Sequence, residues 1–151
     1  MAERYFEDYP PGAVFEGGAI AVTEAEILEF ARKYDPQAMH TDPEAAARGY
    51  FGGLIASGWH TAAMMMRLFA AHFLSPASSL ASPGIDELRW VRPVRPGDVL
   101  RVRVTVTEAR RSRSKRRGCI PTGLRLWAGR RSTRPTRPRS TGGASSPACS
   151  A

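Results

Sequence analysis

Hydrophobic and polar residues follow different rhythms along this chain, and the rhythm changes at identifiable punctuation. Residues 99–108, VLRVRVTVTE, alternate strictly, with Leu100, Val102, Val104 and Val106 on one side and Arg101, Arg103, Thr105 and Thr107 on the other. That period of two predicts a strand with one buried and one wet face. Residues 24–34 carry a helical period instead: Ile27, Phe30, Ala31 and Tyr34 share one face, and Thr23 with Glu26 makes a capping box ahead of them. Residues 58–74 are apolar almost all round and rich in Ala, Met and Leu. They predict a helix buried on most of its sides, the central helix of the domain, with Met64–Met66 filling the core. Upstream, Val14, Phe15, Ile20 and Val22 are interrupted by Gly17-Gly18, which predicts an opening strand with a bend. Residues 85–98 predict a further strand that ends in the Pro96-Gly97 turn.

Between the first helix and the central one lies YDPQAMHTDPEAAARGYFGGLIASG, residues 34–58. Pro36 pushes its predecessor out of helical geometry, so Asp35 falls at the helix exit and His40 in a loop beyond. Asp42 as cap and Pro43 at the first turn predict a short helix that Gly49 closes. An Asp and a His five residues apart are a pairing able to move protons. The residues alone favour the plainer reading, an exposed loop histidine and an Asp that shapes a turn beside proline.

At 151 residues the length is that of one domain. The net charge of +8 suggests an anionic partner until it is located: residues 1–109 carry 14 acidic and 10 basic residues, and residues 110–151 carry 12 basic residues and no acidic one. The body is mildly acidic and only the tail is basic. Cys119 and Cys149 both fall in that tail, without the spacing of a metal or redox site. The tail lacks the interleaved aromatics of a single-strand binder, so no nucleic-acid partner is expected. Its composition predicts disorder over 128–151 and no clear element over 116–127. The N-terminus is too charged and proline-rich for a signal peptide, and no long apolar run is present, so a cytoplasmic protein with no membrane contact is expected.

The stretch from Asp35 to His60 resembles the MaoC-like dehydratase family, which includes the (R)-specific enoyl-CoA hydratases. In that family an Asp and a His five apart, usually within D-x-N-P-x-H-x-D, precede an F-x-x-x-I-x-x-G segment whose glycine opens the central helix. Asp35, His40 and Asp42 match the first motif, and Phe51, Ile55 and Gly58 match the second. The segment at 86–98, DELRWVRPVRPGD, resembles the strand and turn that follow the helix, and the resemblance runs from about Tyr5 to Arg113. It implies an α+β hot-dog fold, an antiparallel sheet wrapped around a long central helix, and an acyl-CoA hydratase or dehydratase working on enoyl thioesters without a cofactor. It assigns water activation to Asp35 and His40 and the thioester carbonyl to the Gly58 N–H. Phe51, Ile55, Ser57 and Trp59 become candidates for the substrate pocket, with Asp42 and Ser57 also read as loop-shaping groups and His60 and His72 as packing or surface residues. No metal site is expected, since His40 with Asp42 offers too few ligands. A homodimer with sheets side by side follows from the same resemblance, with acyl-CoA or an acyl-carrier thioester as partner. A hot-dog acyl-CoA thioesterase, a non-catalytic acyl-CoA binder and an inactive truncated product are the competing readings.

The sequence departs from the family in three places. Pro36-Gln37-Ala38 stands in place of the N-P step, and Ser57 precedes Gly58 where hydratases often carry His. Two closing strands should follow residue 108, yet residues 116–151 supply nothing like them. The expected organisation is therefore a hot-dog domain over 1–113, incomplete at its C-terminal end, and a basic tail over 114–151. A change of reading frame near residues 113–119 is the hypothesis that accounts for such a tail, and translating the DNA in its other two frames tests it. If neither yields alternating Val-rich strands, the idea fails.

Overall fold

The structure is a computed structural model. It describes residues 3–77, 82, 84–109 and, for the backbone alone, 123–129. Its sheet is antiparallel, in the order β1 (Val14–Ala21), β2 (Val99–Glu108) and β3 (Gly123–Gly129). Among the described residues the α-helices are α1 (Glu24–Tyr34), α2 (Ala38–Thr41), α3 (Pro43–Arg48) and α4 (Gly58–His72), and α4 lies against β1 and β2. No helix among the described residues is long and apolar enough to cross a membrane.

The alternation in β2 does what its pattern predicts: Leu100, Val102, Val104 and Val106 are all buried, at 0–3% exposure. They divide between two packed groups. Leu100 joins Val22, Ile27, Leu54 and Met64, while the three valines join Tyr9, Leu68, Phe69 and Phe73. β1 is bent where the sequence bends it. Phe15 and Ile20 lie five positions apart, an odd offset, and would face opposite sides of a regular strand. The irregularity between Gly17 and Ile20 inserts the offset that turns both toward the core, where both are partly buried. Gly18 has φ 63°, a conformation that favours glycine, and the ends of the His72 and Leu68 side chains pack over the space a Cβ would take.

The α1 capping box forms as expected, with Thr23 Oγ1 accepting from the Glu26 N–H and the Glu26 carboxylate accepting from the Thr23 N–H. Ile27 and Ala31 are fully buried, but Tyr34, expected on the same face, is 62% exposed and touches only the edge of the core through Phe30. The helix α4 is also less enclosed than its composition suggested: His60, Met64, Leu68 and Phe69 are buried, whereas Trp59, Ala63, Met66 and Ala70 are exposed. These exposed positions recur every three or four residues and form one apolar stripe.

Residues 85–98 contain no strand. Pro93 and Pro96 lack the N–H that a ladder needs, and the segment is tied in by single bonds, with the Val94 carbonyl accepting from the Ala56 N–H at 2.8 Å. The Pro96-Gly97 turn does form, Gly97 having φ 84° and the Asp98 carboxylate accepting the Arg95 N–H at 3.0 Å. Residues 116–127, where no clear element was expected, include most of β3, which runs on to Gly129, two residues into the stretch expected to be disordered. Its register runs from Arg101↔Gly129 to Glu108↔Gly123, so the sheet continues past residue 113. The short alternation Leu124-Arg125-Leu126 is the signal that the surrounding basic, low-complexity composition obscured. The second closing strand, both cysteines and the predicted disorder of 130–151 lie outside the described residues.

Candidate active site

The site lies where the end of α1 meets the start of α4. Asp35 is the C-cap of α1, its N–H donating to the Ala31 carbonyl, and Pro36 then ends the helix. His40 is not in an open loop. It sits on the single turn of α2 and is only 4% exposed. The burial brings its ring against the segment that leads into α4, where Nδ1 lies 2.8 Å from the Ile55 carbonyl oxygen. A carbonyl can only accept, so Nδ1 carries the proton, and in the neutral ring Nε2 is left with a lone pair.

That lone pair faces Asp35. His40 Nε2 and Asp35 Oδ2 are 3.6 Å apart, too far for a direct hydrogen bond and close enough to share a small molecule. The carboxylate is held on both oxygens. Gln37 Nε2 donates to Oδ1 at 2.7 Å and Ser57 Oγ donates to Oδ2 at 2.7 Å. The bond from Gln37, then that from Ser57, lower the Asp35 pKa below the ordinary carboxylate range, with a smaller contribution from the charge of His40, and partial burial opposes them.

Ser57 is also the N-cap of α4, its Oγ accepting from the Trp59 N–H at 3.1 Å. The Gly58 N–H, at the first position of the helix, has no hydrogen-bond partner among the described residues and lies at the positive end of the α4 dipole. The indole of Trp90 covers Gly58, so that an added Cβ would fall within 2.8 Å of three of its ring atoms. Trp90 meets Trp59 edge to face, with ring centroids 5.7 Å apart.

The structure thus brings Asp35, His40, Ser57 and Gly58 together. Ile55 contributes its carbonyl here, while its side chain is buried in the core. Trp59 is 60% exposed and flanks the site through Trp90. Phe51 stands further off, half-buried, its carbonyl accepting from Arg95 and its ring against Tyr50. Asp42 shapes the chain as expected, capping α3 by accepting the Glu44 and Ala45 N–H groups. His60 is buried and stacked on Phe30, and His72 is exposed over the Gly17-Gly18 bend. Sequence reasoning missed Gln37 and Trp90. Gln37 was discoverable, since a polar residue two positions beyond Asp35 can return to its carboxylate. Trp90 had no local signal, because its place over Gly58 depends on the path of residues 85–98. Among the described residues, no group of three or more His, Cys, Asp or Glu side chains is placed to hold a metal ion.

A long helix across an antiparallel sheet defines a hot-dog fold, and in this chain an Asp/His pair stands at the mouth of that helix. Solved structures agree: the chain superimposes on the crystal structure of the MaoC-like dehydratase from Rhodospirillum rubrum with a TM-score of 0.67 and 38% identity, covering 82% of this chain and 92% of that one. The chain belongs to the MaoC-like domain family, whose model matches residues 8–125. Among curated proteins it is 31% identical over 109 residues to the uncharacterized protein YdeM of Bacillus subtilis, covering 72% of this chain and 77% of YdeM. It is 38% identical over 88 residues to 3-hydroxyacyl-thioester dehydratase Z of Mycobacterium tuberculosis, covering 57% of each. The chain therefore spans little more than half the length of that dehydratase.

Proposed function

We propose that this protein hydrates the double bond of an enoyl thioester, or removes water from the corresponding 3-hydroxyacyl thioester, with Asp35 and His40 as the proton-handling pair. The observation that carries the reading is the 3.6 Å separation of Asp35 Oδ2 and His40 Nε2. Both atoms are hydrogen-bond acceptors when Asp35 is ionised and His40 is neutral. Two acceptors at this spacing repel each other unless a donor lies between them, and a water molecule has two O–H groups to give. Held so, its oxygen presents a lone pair to the β-carbon of an unsaturated acyl group. As the C–O bond forms, one water proton passes to the pair, and a proton is delivered to the α-carbon.

Charge develops meanwhile on the thioester oxygen. The Gly58 N–H is positioned to receive it at the helix N-terminus, a contribution of the order of 10²–10³ in rate for one such donor. The net change is addition of the elements of water, which requires no redox cofactor and no metal. The dehydratase Z relative supports the thioester class, and the acyl group is carried on coenzyme A or on a carrier protein. We further propose a homodimer, supported by the exposed stripe Trp59, Ala63, Met66 and Ala70 on α4 and by β1 as an edge strand of the described sheet. Light scattering on a sizing column reads that state.

Incubation with a short enoyl-CoA tests the chemistry. Loss of absorbance from the conjugated double bond is expected. Asp35→Asn and His40→Ala should each lower the rate by about 100-fold or more. Release of free thiol without loss of the double bond would replace this reading with a thioesterase, and no change in either signal would leave a binding protein.

A further inference from the structure

We infer that Ser57 is a positioning residue for the reaction, aiming the Asp35 carboxylate and joining it mechanically to the helix terminus that receives the thioester oxygen; this rests on the function proposed above. The observation is the double engagement of one buried oxygen. Ser57 is 1% exposed, and its Oγ touches both halves of the site. A hydroxyl has one proton to give. The Trp59 N–H can only donate, so the Ser57 proton belongs to Asp35.

The oxygen it reaches is Oδ2, the same atom that faces His40 Nε2. The other donor to the carboxylate, Gln37, is exposed and bonds Oδ1 from the solvent side. Ser57 is therefore the buried restraint that keeps the working oxygen at its distance from the imidazole. The restraint is stiff, because the preceding Ala56 is fixed to Val94 and the following helix is capped by the same hydroxyl. Without the bond, the carboxylate is free to turn toward His40 and close the gap in which water is held. It also loses one of the two donors that favour its ionised form.

Ser57→Gly separates this role from simple helix capping, since glycine replaces serine at an N-cap with little loss of helix stability. The variant is expected to lose kcat about 10- to 100-fold with KM little changed, because the groups that bind the thioester remain. The acid limb of its kcat/KM profile is expected to move to higher pH, because a donor to the charged carboxylate is gone. The Asp35 carboxyl carbon, followed by NMR across pH in the wild type and in Ser57→Gly, should show the same upward move. An unchanged Asp35 titration, whatever happens to kcat, overturns the inference and leaves Ser57 a structural cap. A shifted titration with unchanged kcat overturns it as well. If the wild type shows no hydration of enoyl-CoA, the proposed function falls with it, while the NMR comparison still decides whether Ser57 controls Asp35.

Discussion

Gly58→Ala is the substitution whose outcome the structure predicts against ordinary expectation. In a helix, alanine is better than glycine by about 1 kcal/mol, so the change would normally stabilise. Here the new methyl would sit within 2.8 Å of three indole atoms of Trp90, inside van der Waals contact. The body of the ring blocks it, and no flexible side-chain end is available to yield, so the indole has to swing away. Trp90 is 50% exposed. The buried half of such a side chain is of the order of 100 Å², worth at most about 2.5 kcal/mol at ~25 cal/mol per Å². Loss of the edge contact with Trp59 adds about 0.5–1.5 kcal/mol. After the helix gain is subtracted, and because the ring keeps part of its contacts when displaced, a net destabilisation of about 1–2 kcal/mol is expected. The assay is urea or thermal unfolding of four proteins: wild type, Gly58→Ala, Trp90→Ala and the double variant. In the Trp90→Ala background the methyl has room, and Gly58→Ala should become neutral or stabilising by up to ~1 kcal/mol. The coupling between the two sites should then be about 1–3 kcal/mol. Additivity within about 0.5 kcal/mol would refute the contact.

Two other predictions concern the body of the domain. Leu100→Ala, at a position on β2 that is 1% exposed and packed with Ile27 and Met64, should cost about 2–5 kcal/mol, whereas the neighbouring Val99→Ala, 42% exposed, should cost under about 0.5 kcal/mol, as read by thermal unfolding. His60 is buried with Nδ1 lacking a hydrogen-bond partner, and burial, opposed by the charge of Glu26, holds its imidazole below the ordinary range. Below its unfolded value of about 6.5 the unfolded chain takes up a proton that the native site resists, so stability is lost as pH falls from there toward the native value. His60→Leu should remove that slope and raise stability at pH 5 by about 1 kcal/mol, measured by urea unfolding at pH 5 and pH 7.5. An equal slope in the two proteins would show that His60 is not the titrating group.

The parts of the fold legible in the sequence were those decided by local chemistry. The β2 alternation, the Thr23/Glu26 box, the Asp42 cap with Pro43, and the bend at Gly17-Gly18 each depend on residues within a few positions of one another. Tyr34 shares the predicted face, meeting Phe30, yet lies exposed, because a helical period locates a face but not where the core ends. The strand expected over 85–98 failed because apolar content was weighed above the missing donors of Pro93 and Pro96. β3 falls mostly where no clear element was expected, because its alternation is short and embedded in basic residues, and its formation depends on the pairing surface that β2 offers. Within the site, it was the motif match running from Asp35 and His40 through to Gly58 that pointed to the pair, and not their spacing alone. Their 3.6 Å separation, the hold of Ser57 on Asp35 and the cover of Trp90 over Gly58 are long-range outcomes of how α1, α4 and the 85–98 segment meet, which no local pattern encodes.

Three contributions to the site come from the run Ile55 to Gly58, and two of them are main-chain atoms: the Ile55 carbonyl that fixes the imidazole and the Gly58 N–H that opens α4. A survey of tolerated substitutions would therefore be uneven along this run in a way that side-chain chemistry does not explain. Ile55 should accept other apolar residues of similar volume, since the site uses only its backbone. Ala56, which contributes nothing visible, should reject proline outright, because its N–H anchors the run to Val94 and sets the aim of the groups on either side.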